Sequence, residues 1–276
     1  MSVSFREMKH EDIDFALSIT SLERWFTEKR DIKLYIDLGS ALVAFVDGKR
    51  VGLATAFPYK SLGWVGNVVV SAEMRNRGIG EKLVTELIDR MKKKGIKTVG
   101  LYAYDRSRSL YERLGFTFDA TFFECTVDRV KGNVGRVKRT SLNQEILDFD
   151  LHFFPQDRSR LLQHLSGRKG AAVLSNRDDT GALNGYLIAS PGEQAYGTEI
   201  VPFCGEASSF DSFLSAIEEM PRPFHLYVPE ENLQLIANAG INITKVTRMH
   251  RGYLGAHSDM PPINKRVLSA GTPENG

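Results

Sequence analysis

The sequence predicts an α/β (α+β) protein with two tandem domains, each a mixed, mostly antiparallel central sheet flanked by helices. Three observations lead to this fold class. Two apolar runs meet at Asp47-Gly48, which is typical of a β-hairpin because both central positions of the favoured tight turn need positive φ. The stretch from about Gly78 to Lys94 carries apolar residues at helical spacing. A similar order of strands and helices then returns after roughly 125 residues, which indicates a duplicated domain.

The first half is predicted to start antiparallel, to continue as a strand–helix–strand unit and to close with a hairpin. "VSFREMK" favours a strand, and the apolar spacing from Glu11 to about Asp37 favours helix. After the Asp47-Gly48 hairpin, "GWVGNVVVS" predicts a third strand, and the helix from Gly78 ends at "KKKG", where Gly95 suits the cap. A buried strand "KTVGLYAY", a short helix around "SRSLYERLG" and the alternating "FTFDATFFECTV" follow.

The composition predicts a soluble globular protein. The 276 residues are 42% hydrophobic, enough for one large domain or two of ordinary size. No run approaches about 18 consecutive apolar residues, and the stretch "MSVSFREMKHED" is charged, so a membrane span and a signal peptide are both disfavoured. Because Cys125 and Cys204 are too few for a disulfide scaffold or a metal cluster, we expect a cytoplasmic protein without a metal.

The net charge of +2 is unevenly divided. Residues 1–139 carry 25 Lys and Arg against 18 Asp and Glu, or +7, and residues 140–276 carry 11 against 16, or −5. Nucleic-acid binders usually concentrate a stronger basic face, so we expect no nucleic-acid partner. The first half is mildly favourable to anions.

The stretch "RNRGIG" has the composition of a phosphate-binding loop. At the start of a helix several backbone N–H groups lack partners, and Gly78 and Gly80 allow an anion to approach without a Cβ in the way. Arg75 and Arg77 can add charge-assisted donors. The alternative is a glycine-rich turn with solvated arginines. The stretch is not a Walker loop, and the acidic ribose partner of a dinucleotide fingerprint is not evident.

Together, "RNRGIGEKL" and the later "LYERLGF" resemble the GCN5-related N-acetyltransferase (GNAT) superfamily over roughly residues 3–128. The resemblance implies acetyl-CoA as cosubstrate, with its pyrophosphate held by the loop. It further implies a splayed strand, Asn67 to Val70, whose free backbone binds the pantetheine arm and polarises the thioester, and a tyrosine, Tyr111, that protonates the thiolate. The cofactor-binding residues implied are Val68, Val69, Val70, Arg75, Asn76, Arg77, Gly78, Ile79, Gly80 and Glu81.

The general base is where the sequence departs from the family. Many members carry a glutamate on the strand before the loop, but "GWVGNVVV" offers only Asn67 and no carboxylate. The base could be Glu28, Asp31, Asp105 or a residue of the second half, and each of these also fits a surface charge. Water could suffice instead.

The second half repeats the order of elements but not the site. Its loop reads "CGEASSFDSF", without Arg-x-x-Gly-x-Gly and with the acidic Glu206, and Ile236 stands where Tyr111 stood, while Gly240 matches Gly115. We therefore expect no acetyl-CoA binding there. The halves together resemble a tandem subgroup of the superfamily with a degenerate C-terminal domain, which carries a motif close to "FFPQDRSRLLQHL" and a later Arg248-Met249.

The domain division follows from composition. We expect the catalytic domain at 1–130, a glycine-rich basic linker at about 129–144 and the degenerate domain at 145–276. The segment from about Gly255 is either a docked extension or loose.

The function predicted is acetyl transfer from acetyl-CoA to a primary amine in a ternary complex, with the second domain closing or shaping the acceptor site. The acceptor is expected to be a small cationic amine, with a protein amine as the alternative, and no membrane is expected as a partner. Two other readings stay open: a non-catalytic acyl-CoA-binding regulatory protein and a structural pseudoenzyme that uses both halves as an interaction surface. The acidic residues expected to attract the amine are Asp157, Asp178, Asp179, Glu193, Glu199 and Glu206.

Overall fold

The chain folds into two structural units in the computed structural model, which describes residues 2–23, 25, 27–129, 133–192, 196–238, 242–272 and 276. Neither unit is a single stretch of sequence. The first comprises Met1–Phe118, Gly252–Asp259 and Pro273–Gly276, and the second comprises Asp119–Arg251 and Met260–Thr272. The division expected from composition, with a linker at about residues 129–144, stays a prediction.

The first unit follows the order of elements expected from the sequence. Strands β1 to β4 are antiparallel neighbours in chain order, and β5 pairs with β4 in parallel. The helices α3 and α4 follow β4 and β5. The bounds are β1 Val3–Glu7, α1 Ile13–Ser21, α2 Lys29–Asp37, β2 Ser40–Val46, β3 Lys49–Pro58, β4 Leu62–Val70, α3 Ile79–Lys93, β5 Thr98–Tyr104 and α4 Asp105–Arg113.

The turn predicted at Asp47-Gly48 and the helix predicted from about Gly78 to Lys94 are confirmed. Asp47 and Gly48 have φ of 49° and 75°, the positive values that the tight turn between β2 and β3 requires. The apolar face of α3 is buried, and Gly95 has φ of 90° just beyond the end of this helix, as expected of a C-terminal glycine. No helix in the described parts of the chain combines the length and apolar character that crossing a membrane requires.

The helical pattern from Glu11 to Asp37 forms two helices rather than one. The second, α2, has its own start signal, because Asp31 Oδ2 accepts a hydrogen bond from the N–H of Glu28 at 2.8 Å and Glu28 has an extended backbone. This cap breaks the helical pattern before Lys29. Phe26, part of the apolar pattern, lies outside the described residues.

The closing hairpin predicted for the first half is wrong. "FTFDATFFECTV" lies in one strand, β6, Thr117–Arg129, which has no glycine, proline or asparagine to form a turn. From Phe122 to Val127, β6 pairs antiparallel with the strand Phe224–Pro229. Both of these stretches belong to the second unit. Beside β5 lies β12, Asn242–Leu254, whose last residues belong to the first unit. A strand supplied from over 100 residues away cannot be read from local sequence.

The segment Gly252–Asp259 is part of the first unit, which agrees with a docked extension for the residues just after Gly255. Thr98 Oγ1 donates to Asp259 Oδ2 at 2.5 Å and accepts from the N–H of Ala256 at 3.0 Å. Ser61 Oγ donates to Asp259 Oδ1 at 3.3 Å. Gly255 has φ of 126°, and a Cβ there would lie 2.7 Å from the carbonyl oxygen of Lys97.

Removal of the Asp259 carboxylate is expected to destabilise the protein. The variant Asp259→Ala should lower the free energy of unfolding by about 1 kcal/mol, because the buried Thr98 hydroxyl and Ser61 lose an acceptor. Urea denaturation measures this effect, with the neighbouring exposed Ser258→Ala as control. Equal midpoints for both variants would contradict the docking. A chain cut near residue 140 lacks this segment, so truncation does not isolate an intact first unit.

The second unit repeats the strand and helix order of the first. An antiparallel hairpin is followed by a third strand, a helix, a parallel strand and a short helix. The helix expected from Ser209 to Met220 is shorter, and Gly240 lies outside the described residues. The bounds are β7 Lys138–Thr140, α5 Gln144–Asp150, α6 Ser159–Ser166, β8 Ala172–Arg177, β9 Leu183–Pro191, β10 Thr198–Gly205, α7 Phe210–Ser215, β11 Phe224–Pro229, α8 Leu233–Asn238 and β13 Val267–Ser269.

The motif "FFPQDRSRLLQHL" has a structural explanation inside the second unit. Its Arg158 is buried and binds Asp150 through two hydrogen bonds of 2.7 and 2.6 Å, and its guanidinium lies 4.6 Å from the ring centre of Phe154. The Tyr186 hydroxyl donates to the same carboxylate. This buried group ties α5, the start of α6 and β9 together, and removal of one partner would leave an uncompensated buried charge.

Candidate active site

The strands β4 and β5 separate at one point, as the family resemblance implied for the strand before the loop. Along the described lengths of both strands, the parallel pairing runs from Leu62↔Thr98 to Val65↔Leu101 and ends there. Strand β4 nevertheless continues to Val70, which pairs with Gly52 of β3 on the other side. The backbone groups of β4 that face β5 after Val65 are therefore not used in the sheet. This edge includes Val68, Val69 and Val70.

A β-bulge accompanies the separation. The register of β3 with β4 shifts between Leu53 and Thr55, and Asn67 on the opposite strand has φ of 49°. Asn67 is only 6% exposed, and its Nδ2 donates to Thr55 Oγ1 at 3.1 Å. The Oδ1 atom of Asn67 is buried and has no hydrogen-bond partner among the described residues. The strand on which the family resemblance led us to look for a base thus carries a buried amide at Asn67.

The loop before α3 exposes helix amide groups. Asn76 and Gly78 both adopt the left-handed conformation, with φ of 61° and 73°. Gly78 is the N-cap, no side chain of the described residues caps the helix, and the N–H of Lys82 donates to the Gly78 carbonyl at 3.1 Å. The amides of residues 79–81 precede that bond, so they have no acceptor within the helix. They are donors of the kind that bind phosphate at helix N-termini.

Space for an anion exists at this helix start. A Cβ built on Gly78 meets no atom within 4 Å, so the backbone there is open to approach. A Cβ on Gly80 would lie 3.6 Å from Leu110 Cδ1 and 3.8 Å from Val70 Cγ2, an ordinary contact distance. Gly80 therefore lies near both the end of β4 and α4. The open backbone and the uncapped amides together can receive an anion.

The charged side chains of the loop differ in their contacts. Arg75 Nε donates to the carbonyl oxygen of Val70 at 3.0 Å, which ties the loop to the end of β4. Arg77 is exposed and makes no ion pair within the described parts of the chain. Glu81 pairs with Arg113 of α4 at 3.5 Å. Arg77 is thus available to a phosphate, whereas Ile79, buried beneath the loop, anchors the helix in the core.

Glu23 is a residue of this region that the sequence reasoning missed. It follows α1 in the sequence, yet its carboxylate binds Arg75 of the loop and also Arg106 of α4, the latter at 2.9 Å. Its side chain is only 10% exposed. No motif marks Glu23, because its place beside the loop depends on how α1 packs in the first unit.

Tyr111 lies on α4 in the hydrophobic core of the first unit. It is 7% exposed, and its ring meets Phe116 edge to face at a centroid distance of 5.7 Å. Burial raises the pKa of Tyr111 well above its ordinary value of 10.0, so the phenol carries its proton at neutral pH. The residue therefore packs in the core and also holds a proton that it could donate.

The carboxylates considered as general bases have other contacts. Glu28 lies 2.6 Å from Arg30 Nε, and Asp31 accepts the Glu28 N–H at the start of α2. Asp105 is the first residue of α4 and is exposed. These contacts do not identify a general base.

In the second unit, the place that corresponds to the separation of β4 and β5 is occupied by β13 of the same unit. Along their described lengths, strands β10 and β11 pair only at Thr198↔Phe224 and Glu199↔His225. Beyond that point β13 pairs with β10, and Ser269 Oγ accepts a hydrogen bond from the N–H of Tyr227 in β11 at 2.9 Å. The N–H of Ala270 donates to the carbonyl of the same tyrosine at 2.9 Å. The backbone edge that is free in the first unit is thus used here.

The acidic residues expected to attract a cationic acceptor have local contacts in the second unit. They cap turns or pair with arginines, and Glu193 lies outside the described residues. The contacts are Asp157 with the N–H of Ser159, Asp178 with Thr180, Asp179 with Arg136, Glu199 with Arg168 and Glu206 with Arg266. These contacts do not bring the carboxylates together, and the cationic acceptor stays a prediction.

The comparisons with known proteins agree with this geometry. Residues 7–116 match the family described as acetyltransferase (GNAT) family. The match covers β2 to α4 and the loop between β4 and α3, so this part of the first unit is similar to a GNAT domain, and the similarity supports acyl transfer in general. No curated protein matches the chain.

Solved structures with the same fold span both units. A candidate acetyltransferase from Pyrococcus horikoshii is similar over 99% of this chain and 96% of its own, with a TM-score of 0.84 and 20% identity. A tandem GNAT protein from the clavulanic acid biosynthesis pathway covers 95% of this chain and 100% of its own, at a TM-score of 0.63 and 13% identity. A GCN5-related N-acetyltransferase from Sphaerobacter thermophilus covers 96% and 98%, with a TM-score of 0.64 and 13% identity. The tandem GNAT fold predicted from the sequence is confirmed.

Proposed function

We propose that the first unit transfers an acetyl group from acetyl-CoA to a primary amine, by direct attack of the amine in a ternary complex. One observation carries this proposal. The uncapped start of α3, with open space above Gly78, lies directly after a β4 edge whose pairing with β5 ends at Val65. An anion-binding helix end and a free strand edge, joined by a short loop, suit a ligand that has both a diphosphate and an amide-containing arm.

The binding roles divide between backbone and side chains. The amides of residues 79–81 would donate to the pyrophosphate, with Arg75 and Arg77 adding charge. The free edge of β4 at 68–70 would pair with the amide groups of the pantetheine arm, as a further strand would. Acetyl-CoA supplies the activated thioester at the end of that arm.

The reaction requires few functional groups from the chain. A neutral amine forms the new C–N bond as the C–S bond breaks, so the chain must stabilise negative charge on the carbonyl oxygen and return a proton to sulfur. Free N–H groups of β4 can donate hydrogen bonds to the carbonyl oxygen. The buried phenol of Tyr111 can donate a proton to the sulfur. Because Asn67 cannot accept the proton of the amine as a carboxylate would, that proton passes to water or to a carboxylate elsewhere in the chain.

The proposal is tested by release of free CoA. The full chain is incubated with acetyl-CoA and a panel of small primary amines, polyamines and peptides with free amines, and thiol release is followed with a chromogenic disulfide. We expect release that depends on at least one amine and saturates with it. Tight CoA binding without amine-dependent release across the panel would favour the alternative, a non-catalytic acyl-CoA-binding protein.

The chain is expected to bind one molecule of CoA. The loop of the second unit lacks the two glycines, and β13 with Ala270 uses the edges of β10 and β11 there. Calorimetric titration of the full chain with CoA should therefore give a stoichiometry of about one per chain. A stoichiometry of two would mean that β13 leaves its place and that the second unit retains a site.

A further inference from the structure

Two arginines from different elements converge on one carboxylate beside the loop. Arg75 comes from the loop before α3, and Arg106 comes from the first turn of α4. Both bind Glu23, one at each carboxylate oxygen: Arg75 at Oε1, and Arg106 at Oε2 with 2.9 Å. The site is thus a carboxylate held between two guanidinium groups.

The exposure of the three side chains shows which of them is enclosed. Glu23 is 10% exposed, whereas Arg75 and Arg106 are 44% and 65% exposed. The guanidinium groups therefore remain open to solvent on one side while they cover the carboxylate. A carboxylate with so little contact with water depends on these two donors, and it would lose stabilisation if either were removed.

The position of Arg75 ties this group to the loop backbone. Its Nε donates to the carbonyl of Val70, so the guanidinium is fixed at the end of β4 while another nitrogen binds Glu23. Guanidinium groups bind phosphate and carboxylate oxygens with the same donors. An anion at the start of α3 and the Glu23 carboxylate would therefore compete for Arg75.

We propose that Arg75 and Arg106 form a two-arginine phosphate site of the CoA-binding region, and that Glu23 occupies it as an internal anion until the diphosphate displaces it. This inference rests on the proposed function and assigns Arg106 and Glu23 to it. Displacement exchanges two carboxylate ion pairs for phosphate contacts and breaks no covalent bond. The free energy needed to displace Glu23 makes CoA binding less favourable, so Glu23 lowers the affinity for CoA.

The test compares CoA binding by variants of the full chain, measured by calorimetric titration at low salt. Glu23→Gln should bind CoA about 3- to 10-fold more tightly than the wild type, the size expected for two partly exposed ion pairs. Glu112→Gln is the matched control, because Glu112 pairs with Arg108 on the same helix at 2.8 Å but is 49% exposed. Its affinity should equal that of the wild type.

A second variant separates competition from simple support of the fold. In the Glu23→Gln background, Arg106→Gln should weaken CoA binding several-fold, since the phosphate then loses a donor. In the wild-type background, Arg106→Gln should weaken CoA binding less. There the change also removes one ion pair of Glu23, so the diphosphate displaces Glu23 more easily. Circular dichroism and thermal unfolding establish that each variant is folded.

The outcomes distinguish this inference from the function on which it rests. If the wild type binds CoA and a folded Glu23→Gln variant binds equally or more weakly, Glu23 does not compete and the inference is wrong while the proposed function stands. If neither the wild type nor Glu23→Gln binds CoA, both fall. Tighter binding by Glu23→Gln alone, with Glu112→Gln unchanged, supports the inference.

Discussion

Replacing Gly78 with aspartate should abolish useful CoA binding, with an affinity loss of at least about 100-fold, while the fold survives. The backbone at Gly78 has φ of 73°, and a side chain there would enter the open space above the amides of residues 79–81. A carboxylate at this N-cap position can itself accept hydrogen bonds from those amides. It would therefore both fill the anion site and repel the diphosphate.

Gly95→Asp provides a matched control for Gly78→Asp. Gly95 also has a positive φ, of 90°, and a Cβ there likewise meets no atom within 4 Å, but it lies just beyond the other end of α3. Both changes place aspartate in a strained left-handed conformation, at a cost of about 1 kcal/mol each. Calorimetric titration should show lost binding only for Gly78→Asp. Normal CoA binding by a folded Gly78→Asp variant would remove the loop from the site.

Tyr111→Phe should lower turnover by about 100-fold and leave the dissociation constant of acetyl-CoA nearly unchanged. The change removes one hydroxyl from a ring packed against Phe116, so the core is retained. The proton donor to the leaving sulfur is lost, whereas the groups expected to hold the diphosphate are unaffected. Steady-state kinetics together with titration separates these two effects.

The pH dependence adds a second readout for Tyr111. Because burial raises its pKa above the ordinary 10.0, the phenol remains protonated up to at least that pH, and it should cause no alkaline loss of rate below about pH 10. Tyr59→Phe is the control, since Tyr59 is also 7% exposed in the first unit. A rate for Tyr111→Phe equal to that of Tyr59→Phe would limit Tyr111 to packing.

The parts of the site that depend on local sequence could be predicted. The hairpin at Asp47-Gly48 and the helix start at Gly78 each follow from backbone conformations that few residues adopt. The separation of β4 from β5 was implied by the family resemblance rather than by propensity, and the resemblance placed the splayed strand at Asn67 to Val70, whereas the pairing ends at Val65. These elements place the loop and the free strand edge within a short length of chain.

The parts that depend on distant sequence could not be predicted. Glu23 is ordinary in its local sequence, and only the packing of the first unit brings it to Arg75. Likewise, nothing local indicates that β12 lies beside β5 or that Ser269 reaches Tyr227 between two strands of the second unit. The sequence patterns identify strands well, but they carry little information about which strands become neighbours when over 100 residues separate them.

The most direct test of the account is detection of the product. The full chain and Gly78→Asp are each incubated with acetyl-CoA labelled in the acetyl group and with the amine that gives the highest CoA release, and the amine is analysed by mass spectrometry. We expect labelled N-acetyl amine with the wild type and none above background with Gly78→Asp. If the wild type binds CoA but the label stays in the thioester or appears only as acetate, the first unit is not an N-acetyltransferase for these amines and the central claim is contradicted.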